Sequence, residues 1–141
     1  MIISKHERAR RPQSREEHET LTIRRKNAAR EVPMTAYATL LAEARGRPFA
    51  CIVGWPVAHS RSPALHGFWL KQHGIDGHYG RLPVEPSQTA LAELVAFLRR
   101  TPNARGCNLT LPHKIDIMPL LDRIDPEAAR IGAVNTVIKQ A

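Results

Sequence analysis

Apolar and polar positions change their period several times along this chain, and the changes predict an alternation of helices and strands. The run "TAYATLLAEARG" (35–46) is rich in Ala and Leu and ends in Gly46, the pattern of a short helix. "FACIV" (49–53) is a continuous apolar run that stops at Gly54 and reads as a buried strand. After Pro63, Leu65, Phe68 and Trp69 fall on one face of a helix ending near Gly74. "GHYGRLPV" (77–84) reads as a second strand, with His78 and Tyr79 near its start. Residues 86–100 carry the strongest helical signal: Leu91, Leu94, Val95 and Leu98 recur at helical spacing, Pro86 and Ser87 mark the start, and Arg99 and Arg100 fill the last turn.

"RGCNLT" (105–110) predicts a third strand, followed by "LPHK". Beyond it, Ile117, Leu120, Leu121 and Ile124 lie on one helical face, with Pro119 expected to kink that helix or mark its first turn. "DPEAARIGA" predicts a short helix with Asp125 as N-cap, Pro126 in the first turn and Gly132 near the end. "AVNTVIK" closes the series as a strand. No internal repeat occurs. Strands alternating with helices indicate an α/β domain, a three-layer sandwich with a largely parallel sheet flanked by helices. In such sheets ligands gather outside the carboxyl ends of the strands.

Composition narrows the class. At 141 residues and 43% hydrophobic content the chain holds one core's worth of sequence. Its net charge of +8 is unevenly spread: residues 1–33 hold nine Lys or Arg against five Asp or Glu, and the remaining 108 hold twelve against eight. Residues 1–33 therefore read as a basic, disordered extension, and residues 34–141 as the folded domain, with Met34 as boundary or natural start. The extension mixes in Glu16, Glu17 and Glu19 and has no aromatic residue for stacking, so nucleic acid is not the expected partner. No apolar run reaches the ~20 residues that span a bilayer, and the N-terminus has no signal-peptide core. Cys51 and Cys107 are expected to stay reduced, in keeping with a cytoplasmic protein. The histidines show no HxxxH or Cys/His spacing, and there is no CxxC, so a metal site is not expected. Neither a Walker loop nor GxGxxG occurs.

Three polar clusters fall where the predicted strands end. In "GWPVAHSRSPALH" (54–66), Ser62 before Pro63 suits a helix N-cap, and a helix N-terminus also suits a carboxylate or phosphate. Capping does not account for Ser60. In "GCNLTLPHK" (106–114), Asn108 and Thr110 lie two apart and should share a face of the strand. Lys114 follows Pro112 at an expected helix start. There the dipole, with burial if it is partly buried, would disfavour its ammonium form and suit it to general acid/base work; a solvated surface lysine is the alternative. In "GAVNT" (132–136), Asn135 and Thr136 interrupt an apolar strand, and a structural Asn fits the spacing as well as a ligand contact does.

Taken together, in this order and spacing, these three segments resemble the N-terminal substrate-binding domain of the shikimate dehydrogenase family over residues 48–139. The resemblance implies NADPH-dependent reduction of 3-dehydroshikimate to shikimate in aromatic amino-acid biosynthesis. Quinate/shikimate dehydrogenases share the motifs. It further implies that Ser60 and Ser62 bind the substrate carboxylate. Thr110 and Asn135, with Asn108 in the same strand motif, meet the ring hydroxyls and carbonyl region, and Lys114 is the catalytic lysine. His113 stands where many members have an aromatic residue, and Gly67 where Asn often follows. In the family a second Asn-Thr-Asp segment, whose Asp pairs with the lysine, and a Rossmann domain for NADP follow the "AVNT" strand. Neither falls within these 141 residues, so the sheet is expected to be incomplete at the C-terminus and the chain alone inactive. The partners implied are the substrate and a separate nucleotide-binding domain or a second copy. A non-catalytic shikimate- or quinate-binding protein is the alternative function.

Overall fold

A computed structural model describes residues 33–140. The basic extension expected over 1–33 lies outside the described residues, Pro33 excepted. In chain order the elements are α1 (Pro33–Ala44), β1 (Phe49–Gly54), α2 (Ser62–Gln72), β2 (His78–Pro83), α3 (Gln88–Arg100), β3 (Ala104–Leu109), α4 (His113–Asp116), a 3-10 turn (Met118–Leu120), α5 (Pro126–Ile131) and β4 (Thr136–Ile138). The sheet runs in the order β2-β1-β3-β4. β1 is parallel to β2 and β3, and β4 returns antiparallel to β3. This is the α/β sandwich with a largely parallel sheet that the alternation of elements predicts.

The main core lies on one face. Cys51 and Val53 of β1, Leu82 of β2 and Cys107 and Leu109 of β3 pack against Leu40 and Ala44 of α1 and Leu91, Leu94 and Leu98 of α3. α3 forms because its apolar residues keep one face, and Ser87 starts it by accepting a hydrogen bond from the Ala90 N–H at 3.1 Å. On the opposite face a smaller cluster of Ile52, Val57 and Tyr79 receives Leu70 of α2.

α2 departs from the expected pattern. Leu65, Phe68 and Trp69 do share a face, but that face is exposed, with Phe68 61% accessible. The helix instead turns Pro63, His66 and Leu70 toward the sheet, and none of its residues is fully buried. The expected helix through Ile117, Leu120, Leu121 and Ile124 is broken. α4 stops at Asp116 and Pro119 sits in the 3-10 turn. Ile117 is fully buried, while Leu120, Leu121 and Ile124 pack at the edge of the core. Proline removes an N–H and crowds the preceding turn, which favours the tighter, shorter geometry. α5 follows expectation, with Asp125 accepting from the Glu127 N–H at 2.9 Å and Gly132 in the left-handed region that closes the helix.

At the bulge where β1 meets β3, Phe49 pairs with Ala104 and Ala50 with Gly106. Gly106 has φ +141°, and a Cβ there would strike the Val137 carbonyl, so only glycine lets β4 approach. No helix among the described residues is long and apolar enough to cross a membrane.

Candidate functional site at the carboxyl edge of the sheet

The antiparallel return of β4 explains why the three polar clusters meet. Asn135 precedes β4, so it lies beside the end of β3 rather than at the far side of the sheet, and its carbonyl accepts from the Leu109 N–H at 2.9 Å. The β1 and β3 exits are tied in the same way: the Thr110 N–H donates to Val53 at 2.9 Å and the Trp55 N–H to Leu111 at 3.2 Å. The serine loop, the Thr110–Lys114 segment and Asn135 thus share the carboxyl edge.

The serines exchange the roles that the sequence suggests. Ser62 does not cap α2; the residue at the cap is Arg61, which makes no side-chain cap bond. It is Ser60 whose Oγ accepts the Ser62 N–H, at 3.3 Å. Capping therefore involves Ser60, whose hydroxyl reaches the N–H two residues on, the first of the helix. The Ser60 and Ser62 hydroxyls are also hydrogen-bonded to each other at 3.2 Å, which uses one of their two protons and leaves the other for an incoming acceptor. Arg81 of β2 holds the loop from below, with Nε and Nη2 donating to the Ser60 carbonyl at 3.0 and 2.6 Å.

Thr110 lies just past β3 and packs closely over Gly54, where a Cβ would run into its Cγ2. Lys114 is half-buried in α4, and its carbonyl accepts from the Val134 N–H at 2.8 Å, fastening the segment that leads to Asn135. Among the described residues its ammonium makes no hydrogen bond or ion pair. The dipole argument for Lys114 loses its basis, since α4 is a single four-residue turn and carries little summed dipole. Next to it, His113 is fully buried and its Nε2 donates to the Val84 carbonyl at 2.8 Å. Burial lowers its pKa, opposed by that bond and by Asp116. Its Nδ1 has no partner among the described residues.

Asn108 projects from the face opposite the main core, into a chain of hydrogen bonds. Tyr79 Oη donates to Asn108 Oδ1 at 2.7 Å, Asn108 Nδ2 to Thr136 Oγ1 at 3.0 Å, and Thr136 Oγ1 to Asn135 Oδ1 at 3.1 Å. Asn135 does not interrupt β4 as expected; the strand begins one residue later. His66 stacks on Tyr79 at 3.9 Å and 7°, and its Nδ1 meets the Ser62 carbonyl at 2.9 Å. Tyr79, His66 and Arg81 were not among the residues singled out for the site from sequence, and Thr136 stood out only as the polar neighbour of Asn135. The signals were faint: a tyrosine and an arginine placed two apart within a strand otherwise bound for burial.

The site is an open edge rather than a closed cavity. A groove of about 370 Å³ beneath it is lined by His66, Trp69, Tyr79, Arg105 and Asn108 among others, but not by Ser60, Ser62, Thr110, Lys114 or Asn135. Among the described residues no cluster of His, Cys, Asp or Glu could hold a metal ion. Nor do they fit a dinucleotide. Trp55, Pro56 and Val57 follow β1, where close approach of a pyrophosphate calls for glycines.

The family model for the shikimate dehydrogenase substrate binding domain matches residues 52–137, which span all three clusters. The chain belongs to this family. It is 54% identical over 89 residues to the shikimate dehydrogenase (NADP(+)) of Paramagnetospirillum magneticum, covering 63% of this chain and 31% of that one. It is 48% identical over 91 residues to that of Cereibacter sphaeroides, covering 64% and 32%. The chain therefore spans about a third of the length of the curated relatives it matches. The crystal structure of shikimate 5-dehydrogenase from Thermus thermophilus in complex with NADP(H) and shikimate superposes with a TM-score of 0.61 at 43% identity, over 65% of this chain and 34% of that one. The Listeria monocytogenes enzyme in complex with shikimate and NAD gives 0.62 at 32% identity, over 67% and 32%.

Proposed function

We propose that this chain is the substrate-binding part of an NADP-dependent shikimate dehydrogenase and that its carboxyl edge binds shikimate and 3-dehydroshikimate. The observation that carries the reading is the convergence of the serine loop, Thr110–Lys114 and Asn135 on one edge, within the family match. Ser60 and Ser62, whose paired hydroxyls have one proton left over, bind the carboxylate. Thr110, Asn108 and Asn135 meet the ring hydroxyls and carbonyl. The Lys114 ammonium holds the proton that the carbonyl oxygen takes up on reduction and receives it back on oxidation.

The relatives' names give NADP(+), and in this reading it accepts or supplies the hydride. The described residues offer it no cradle, so in this reading a separate nucleotide-binding domain brings it, and the chain alone binds acid without turnover. Titration calorimetry with shikimate tests the binding. Saturable heat that weakens about tenfold or more in Ser60→Ala and Ser62→Ala supports it, and no heat at millimolar shikimate overturns it. NADPH formation from shikimate by the purified chain would refute the proposed inactivity. The missing cradle equally favours a second reading, a non-catalytic shikimate- or quinate-binding protein. Adding a relative's nucleotide-binding domain separates the two, since turnover then appears only under the first.

A further inference from the structure

The hydrogen bonds around Asn108 form a chain oriented by a group that can only accept: the Asn135 backbone carbonyl lies 3.5 Å from Asn108 and puts the Nδ2 end of that amide on its side. With Nδ2 on that side, Thr136 Oγ1 accepts from Asn108 and has its own proton to donate to Asn135 Oδ1. The Oδ1 end then faces Tyr79, whose hydroxyl donates to it. Asn135, with its Oδ1 already occupied by Thr136, has its Nδ2 group left for a ligand. The other Asn108 N–H has only a 3.5 Å contact with the Asn135 carbonyl, at the limit of a hydrogen bond.

Tyr79 starts this chain. It is only 8% exposed, and its ring is held by the His66 stack on α2 and by the Ile52–Val57 cluster. An amide whose two ends are nearly isosteric is oriented only by such partners. Burial raises the Tyr79 pKa well above its ordinary value, which keeps the hydroxyl protonated and so able to donate. His66 extends the linkage to the serine loop through the Ser62 carbonyl.

We infer that Tyr79 is a positioning residue of the acid site: by donating to Asn108 Oδ1 it orients the amides of Asn108 and Asn135 so that both present N–H donors to the ligand. The site then favours ligand oxygens that accept, and the ring end and the carboxylate end are registered to each other through His66 and Tyr79. This rests on the binding reading above.

The test uses the full chain and Tyr79→Phe, which keeps the ring against His66 and removes only the donor. In the ligand-free protein, the side-chain amide signals of Asn108 and Asn135 in ¹⁵N–¹H spectra should move or broaden as the amides exchange between two orientations. Shikimate should bind about threefold to tenfold more weakly, the loss expected for one neutral hydrogen bond. The losses from Tyr79→Phe and Asn108→Ala should be clearly less than additive in the double variant, because both act through the same amide. Unchanged amide signals, or additive losses in the double variant, overturn the inference. Wild-type protein that binds no shikimate overturns the proposed function instead, and the amide spectra still decide the role of Tyr79. Should Y79F not fold, Thr136→Val interrupts the same chain at its other end and must disturb the same two amides.

Discussion

Gly54→Ala probes how the end of β1 sets the position of the candidate site. A Cβ at this position would collide with Thr110 Cγ2 and lie 3.3 Å from the Leu111 carbonyl oxygen. Ordinary carbon contacts lie at about 3.5–4.0 Å, so the Thr110 methyl must retreat by about 1 Å or more. The backbone cannot absorb this easily, because the Gly54 carbonyl accepts from Val84 and the Val53 carbonyl from Thr110. Overpacking of this kind costs about 1–3 kcal/mol. The stiffer unfolded chain offsets about 0.4–1 kcal/mol of that. A net loss on the order of 1 kcal/mol should lower the melting temperature by about 4 °C. Shikimate affinity should fall at least about threefold as Thr110 is displaced. Urea unfolding followed by circular dichroism, with calorimetric titration, reads both effects. Thr110→Ser deletes the colliding methyl, so the double variant should recover much of the stability lost by G54A. An unfolding midpoint for G54A equal to wild type, or no recovery in the double variant, would refute the reasoning.

Two further outcomes follow from buried titratable groups. His113 has a lowered pKa because it is buried, so the unfolded chain takes up its proton first as the pH falls. Stability should therefore be complete above about pH 6.5, the ordinary histidine value, and fall below it by up to about 1.4 kcal/mol per pH unit until the folded state also protonates. His113→Phe should flatten this part of the profile in urea unfolding at pH 7.5, 6 and 5; an unchanged slope sinks the assignment. Cys51 and Cys107 face one another across β1 and β3 as free thiols. Burial raises both, Cys107 to about 12, with Cys107 adding to the shift of Cys51. Neither should react with a disulfide reagent at pH 8 until denaturant is added, and rapid labelling of the native chain would contradict the packing.

The sequence by itself determined most of the elements, the helix expected through Ile117 to Ile124 excepted, and the family. "FACIV", "RGCNLT" and the 86–100 periodicity are local patterns, and each predicts its strand or helix without knowledge of its neighbours. The three motifs were equally legible, since a Ser-x-Ser-Pro, an Asn-x-Thr-x-Pro-x-Lys and an Asn-Thr each stand out within a few residues. What lay outside that reach was every relation set by partners distant in the chain. Ser60 rather than Ser62 serves the helix start because of how the loop turns back and how Arg81, twenty-one residues on, grips it. The exposed face of α2 was unreadable because periodicity gives a face but not what lies opposite it. Tyr79 joined the site only through β2–β1–β3–β4 order, which places a strand-start tyrosine within 2.7 Å of an asparagine twenty-nine residues away. Local chemistry follows from short sequence, but the direction of a hydrogen-bond chain depends on which groups the sheet brings together.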